Sequence, residues 1–201
     1  MNSNSDPHLV TIRNVRLSYP NLFVPTAFKS SDGTMGKPAY SASFLLDKSK
    51  NAEDLKKLTA AAVLTKQEKW QGKPVNLTGK SIRDGAEKEA TDGYGSGISF
   101  ISARHSPRPG DNWLQSIVDQ NLHPVTAEDG KFYGGCYVNA TVKAWAQDNG
   151  FGKRINWQLV NIQYLRKGDP FGEKPTPIAS TLKVEADEDS GPVDAGTSDL
   201  I

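Results

Sequence analysis

Aromatic rings and cations recur together in the second half of this sequence. Tyr137, Lys143 and Trp145 occupy alternate positions of one stretch, and Lys153, Arg154 and Trp157 follow just across a turn. Upstream, a polar stretch carries Lys80, Arg83, Lys88 and Tyr94. The next apolar stretch holds Phe100 and ends in Arg104, His105 and Arg108, and Lys37 sits in an earlier polar loop. Flat aromatic faces beside positive charges suit a chain of stacked bases and phosphates. Each stacked base is worth about 1–3 kcal/mol, and cations follow the backbone without reading sequence. Arginine is the stronger single candidate because its guanidinium both stacks and forks onto oxygens. The candidate set is therefore Lys37, Lys80, Arg83, Tyr94, Phe100, Arg104, Tyr137, Lys143, Trp145, Lys153, Arg154 and Trp157.

Each candidate has a plainer alternative. Trp145 and Trp157 could close the core, Phe100 suits a core position, and Lys80, Arg83 and Arg104 could be solvated charges. Tyr94 lies between glycines in DGYGSG, where a loop ring free to stack is the more natural reading.

Other chemistries find less support. One cysteine, Cys136, allows no intramolecular disulfide, and three scattered histidines do not make a zinc site. Cys136 lies on an apolar strand face with no histidine nearby in sequence, so it reads as a small buried residue rather than a nucleophile. The sequence has no GxxxxGK[ST] phosphate loop. A nuclease or nucleotide hydrolase is thus disfavoured, and no cofactor or metal is expected. No apolar run nears the roughly 20 residues that span a bilayer, and the first residues, MNSNSDPHLV, do not read as a signal peptide. The expected compartment is the cytoplasm.

The elements that must position these residues are mostly strands. His8–Tyr19 reads as a strand with one shift in alternation after Ile12, and Pro20 and Pro25 then break the pattern. Ala39–Leu46 alternates again. A helix is expected over about 51–70, with Asn51 as cap, Glu53 and Asp54 in its first turn, and Leu55, Leu58, Ala62 and Thr65 along one face. Gly72 and Pro74 stop it. Residues 78–97 read as loop and Gly97–Arg104 as strand. Residues 115–133 are ambiguous, with a short hairpin flanked by Val125–Gly130 and Phe132 as one option. Gly135–Gln147 alternates strictly: Cys136, Val138, Ala140, Val142 and Ala144 on one face, Tyr137 to Trp145 on the other. Asp148-Asn149-Gly150 supplies a turn, and Lys153–Arg166 returns with Val160, Ile162 and Tyr164 on one face. Several strands and one helix suit a small Greek-key barrel.

Charge divides the chain. Val184–Ile201 holds Glu185, Asp187, Glu188, Asp189, Asp194 and Asp199 and no Lys or Arg, which leaves the body 24 basic against 17 acidic residues, a net of +7. A basic body joined to an acidic tail is the asymmetry of nucleic-acid binders, although surfaces and tails are often charged for solubility alone. The expected layout is a loose N-terminus (1–7), one domain (8–180) and a disordered acidic tail (181–201).

The runs FYGGCYVNATVKAWAQDN and GFGKRINWQLVNIQYLRKGDPFG, with TIRNVRLSYPNLF and AYSASFLLDK before them, resemble a phage family of single-stranded DNA-binding proteins related to the T7-type protein. The resemblance spans roughly residues 9–173. It implies an OB fold (mainly β, an OB-like Greek-key barrel with one main helix) and single-strand binding with little sequence preference during phage replication or recombination. It also implies a tail that competes with DNA and recruits phage or host replication proteins, and it is compatible with a homodimer. Family tails often end in an aromatic residue; this one ends Asp199, Leu200, Ile201. Two other readings stay open: a strand-annealing recombination mediator, and a non-catalytic β-rich phage structural or interaction module.

Overall fold

A computed structural model describes residues 6–27, 33 and 35–172. The expected acidic tail, with its candidate residues Glu185 to Ile201, lies outside them. Among the described residues seven strands form one sheet: β1 (Leu9–Thr26), β2 (Ala39–Asp47), β3 (Arg83–Asp84), β4 (Ile98–His105), β5 (Ile117–Val118), β6 (Tyr137–Asn149) and β7 (Gly152–Arg166). Their order is β3-β4-β2-β1-β6-β7-β5, and a parallel pairing of β4 with β7 (Ala103 beside Trp157, Arg104 beside Gln158) closes the five long strands into a barrel. Closure leaves those five strands without a free edge.

β1 is longer than its sequence suggests and runs through both Pro20 and Pro25. A proline has no N–H for the ladder, so it survives in a strand only where pairing is irregular. The β1–β2 register shifts between Ser18 and Asn21 and again between Asn21 and Thr26, around these two positions. The alternation shift after Ile12 is a bulge: Ile12 faces Ala140 but Val15 faces Val138, and Asn14 takes φ +52° to absorb the extra residue. β1 can therefore bend from β6, which it pairs first, to β2.

β7 carries the same device. Leu159 pairs with Val142 and Asn161 with Thr141, so Val160 is the surplus residue. Ile155, Trp157 and Leu159 are buried before it, Ile162 and Tyr164 after it. Val160 itself is only half-buried, which corrects the single face expected for Val160, Ile162 and Tyr164.

The helix α1 (Ala52–Trp70) packs chiefly on β1 and β6. Its buried face is Leu58, Ala61, Thr65 and Trp70, one position round from the expected stripe. Asn51 stands at the N-cap but does not cap with its side chain. Its amide donates to the Arg13 carbonyl (2.9 Å) and its Oδ1 accepts from the Asp47 N–H (3.0 Å). Buried Asp54 accepts from the Arg13 N–H (2.9 Å), so the helix start holds the β1 bulge from both sides. The helix ends at Gln71, φ +52°. Trp70 is buried, and its indole N–H donates to Asp148 Oδ2 at 2.8 Å.

The expected hairpin near 125–132 does not form. A single turn of 3-10 helix (Trp113–Ser116) leads into β5, which runs parallel to β7, and the bridge Val118–Pro124 closes the turn instead. Trp113 is buried and donates its indole N–H to the Leu22 carbonyl (2.8 Å). Inside the barrel, Ile12, Leu17, Phe44, Leu46, Ile101, Val138, Val142, Leu159 and Ile162 are inaccessible to solvent or nearly so.

Candidate nucleic-acid interface

Residues paired across a ladder share a face of the sheet. Ser41 pairs with Arg104, Arg104 lies beside Gln158, and Gln158 pairs with Lys143, so one row crosses β2, β4, β7 and β6 on the outer wall. In the next row Ser43 pairs with Ser102, and Asn156 pairs with Trp145. Small and polar side chains thus line the middle of this wall, with cations and an aromatic ring along it. Trp145 is 44% exposed, and Phe151, at the tip of the β6–β7 turn, is 70% exposed.

Beside these rows the segment 78–88 folds over β4 and β7 and leaves a cleft of about 540 Å³. Lys80, Arg83, Ser102, Arg154, Asn156 and Trp157 are among its lining residues. Lys80 and Arg154 are exposed. Arg83 is engaged: its guanidinium binds Glu87 at 2.8 Å and lies 4.8 Å over the Phe100 ring. That hydrogen bond holds the Glu87 carboxyl below its usual range. Four sequence-derived candidates (Lys80, Arg83, Arg154 and Trp157) are therefore brought together from two segments distant in sequence.

Trp157 and Phe100 hold different positions from those a stacking platform needs. Trp157 is buried in the barrel wall, and its indole N–H donates to the Ser81 carbonyl (2.8 Å). It fixes the cleft's rim rather than offering a free face. Phe100 is fully buried, yet it lies outside the barrel: Phe44 and Ile101 form the inward pair, whereas Leu45 and Phe100 form the neighbouring outward pair. The segment 83–94 covers that outward pair. Gly85 permits the closeness, since a Cβ there would lie 2.5 Å from the Gly95 carbonyl oxygen.

Tyr94 is part of this cover rather than a free loop ring. It is half-buried, meets Phe100 edge-on at 5.1 Å, and donates its hydroxyl to Ser18 (3.2 Å). Burial raises its pKa. The Lys88 ammonium stands 5.1 Å from the Tyr19 ring, 5.4 Å from Tyr94 and 5.6 Å from Phe100. Tyr19 was missed by sequence reasoning. It is 54% exposed and held at φ +48°, which aims its ring outward. A bulky residue in that conformation is an uncommon signal, and it appears only in the structure.

The remaining candidates are spread. Lys37 is exposed, just before the end of β2 that pairs with Arg104 and His105. Lys143 pairs with Asp6 at 2.6 Å, and this contact lowers the Asp6 pKa. Lys153 turns toward α1, 3.9 Å from Asp148 and 6.0 Å from the Trp70 ring. Tyr137 lies at the far end of β6 from Trp145, roughly 26 Å along the strand. Its ring already carries the Arg166 guanidinium at 3.4 Å, with Arg16 at 5.6 Å. Cys136 is buried in the core, and burial pushes its thiol up, against nucleophilic use. Among the described residues no cluster of His, Cys, Asp and Glu could hold a metal, and no helix is long and apolar enough to cross a membrane.

Residues 8–190 match the family described as the ssDNA-binding protein of Enterobacter phage Enc34. Protein p50 of Acyrthosiphon pisum secondary endosymbiont phage 1 is 36% identical over 171 residues, which cover 81% of this chain and 85% of that one. Among solved structures, the single-stranded DNA-binding protein from bacteriophage Enc34 in complex with ssDNA aligns with a TM-score of 0.68 at 29% identity, over 82% of this chain and 90% of that chain. The gp2.5 single-stranded DNA-binding protein of bacteriophage T7 aligns at 0.51 with 11% identity, over 88% and 98% respectively, a likeness of fold.

Proposed function

Since the chain belongs to the Enc34 family of phage single-stranded DNA-binding proteins, we propose that it coats single-stranded DNA during phage DNA replication and recombination, largely without sequence preference and without catalysis. The observation that carries this reading is the cleft that gathers Lys80, Arg83 and Arg154 beside the outer wall of β4 and β7. Phosphates would run along Lys80, Arg154 and Arg104, the outward cations of that wall. Bases would stack on exposed rings; among the described residues these are Trp145 and Phe151 on the β6–β7 hairpin and Tyr19 at the other side. Phosphate contacts position a strand, and stacking accepts any base.

The remaining sequence candidates take supporting parts. Trp157 and Phe100 build the wall, Arg83 braces its cover, and Tyr94 closes it. Lys37, Lys143 and Lys153 add positive field at the margins. The acidic segment 184–201 competes with DNA for the cations and recruits replication proteins of phage or host. The site of action is the cytoplasm of the bacterial host, and a homodimer is compatible with this reading.

Titration with oligo(dT), followed by tryptophan fluorescence at two salt concentrations, tests the proposal. Saturable quenching that weakens steeply with salt is the expected result. An unchanged signal would leave a β-rich structural module as the better reading. Labelled single strand should also survive incubation with the protein and Mg²⁺; its loss would indicate an enzyme.

A further inference from the structure

The face of α1 that carries Val63 and Lys66 does not rest on the barrel. Between it and the segment 73–82 runs a groove of about 730 Å³, lined by Val63, Val75, Leu77 and Ile82, with Lys66 and Lys80 among its walls. Val63 is 48% exposed, although the groove around it is mainly aliphatic. The groove is continuous with the basic cleft: Gly79, Lys80, Ser81 and Ile155 line both. An aliphatic slot with two ammonium groups fits a short segment of aliphatic residues next to acids.

This chain contains such a segment outside the described residues. Asp199, Leu200 and Ile201 follow Asp194 and the acids of 185–189, with no Lys or Arg between 184 and 201. Reach is sufficient. Gly172 lies at Asp92, whose carboxylate accepts its N–H at 2.8 Å, and the segment 80–92 itself joins that point to the groove. The 29 residues after Gly172 can extend to about 95 Å at most, well beyond the width of a small domain.

We propose that Leu200 and Ile201 seat in the groove between α1 and the segment 73–82, with Asp199 beside Lys66 and Lys80. This rests on the competition reading above and gives it a location. Seating the aliphatic pair holds the acids of 185–194 across Lys80 and Arg154 in the adjoining cleft. Competition then depends on an apolar anchor as well as on charge.

The test uses the full chain. A nitroxide on Ser198→Cys should broaden the amide signals of Val63, Val75 and Leu77, and oligo(dT) should restore them; Cys136 is buried and escapes labelling. Broadening at Leu114 and Leu122 instead, or nowhere, overturns the proposal. Leu200→Ser with Ile201→Ser should tighten single-strand binding at low salt about fivefold, as expected for loss of partial burial of two aliphatic side chains. Val63→Glu should do the same without touching the tail.

Neutralising the six acids to amides separates the two ideas. If neutralisation tightens binding and the serine pair does not, the groove is not the anchor, although competition stands. If neither does, competition fails and this inference with it. A dimer that Val63→Glu dissociates would assign the groove to a second copy and overturn the proposal.

Discussion

At the scale of single residues, alternation told which side of a strand a ring occupies but not what covers that side. Phe100 and Trp145 are both on the outer wall. One is sealed under the segment 83–94 and the other is open, and no spacing in the sequence distinguishes them. Trp157 points the other way, paired with Ala144 and Ala103 in the barrel wall. The two tryptophans should therefore separate cleanly. Trp145→Ala is expected to lose about 1–3 kcal/mol of single-strand affinity, roughly 5- to 150-fold, with little change in thermal midpoint. Trp157→Ala should cost about 3–5 kcal/mol of stability, read by urea unfolding, because it opens a cavity and frees the Ser81 carbonyl. If Trp145→Ala destabilised the protein instead, its ring would be structural. The cations report through salt: Lys80→Ala and Arg154→Ala should each lower the slope of log affinity against log salt by about 0.7, the value per phosphate contact on a single strand. An unchanged slope would place that residue off the phosphate path.

At the scale of elements, the sequence announced the strands because one face of each is apolar at period two, and it announced α1 by its acids and its leucines. The shift after Ile12 was legible as well; the irregularities of β7 and around the prolines of β1 were not. The bulge at Val160 keeps two apolar sets, 155–159 and 162–164, on the same side, but a uniform alternation rule assigns them to opposite faces. Proline was likewise read as a break because its cost depends on the pairing partner, which is distant in sequence. The β2–α1 connection shows a device with a pH signature. Asp47 accepts from the Ser49 hydroxyl (2.6 Å), the Ser49 N–H (2.9 Å) and the Lys50 N–H (3.1 Å), and these bonds bring its pKa from 3.8 down to about 2. A depressed carboxyl pKa contributes stability above the unfolded-state value and loses it as pH falls through the folded-state value. Asp47→Asn should therefore unfold at a lower temperature than the parent at pH 7. That gap should narrow steadily as pH drops from about 4 through about 2. A gap as large at pH 2 as at pH 7 would show that the carboxylate form is not what the turn uses.

At the scale of the whole molecule, the +7 body and the six-acid segment 184–201 predict how salt acts on the intact chain. Under the proposed competition, DNA must displace an intramolecular competitor that is itself held by charge. At low salt both attractions are strong, so the competitor takes back part of what the phosphates gain. Salt weakens the two together. Removing residues 184–201 should thus tighten single-strand binding most at low salt, about three- to tenfold near 50 mM. It should also make the fall of affinity with salt steeper. Near 0.5 M, where screening shortens electrostatic reach to roughly 4 Å, the truncated and full chains should bind alike. This convergence distinguishes competition from a solubility tail, for which the two curves would coincide at every salt concentration. It also distinguishes competition from a tail that contributes contacts to DNA, for which truncation would weaken binding. An anchored aliphatic end makes the approach more gradual, because apolar burial is not screened. A residual difference at 0.5 M that disappears in Leu200→Ser with Ile201→Ser would therefore measure the anchor apart from the charge.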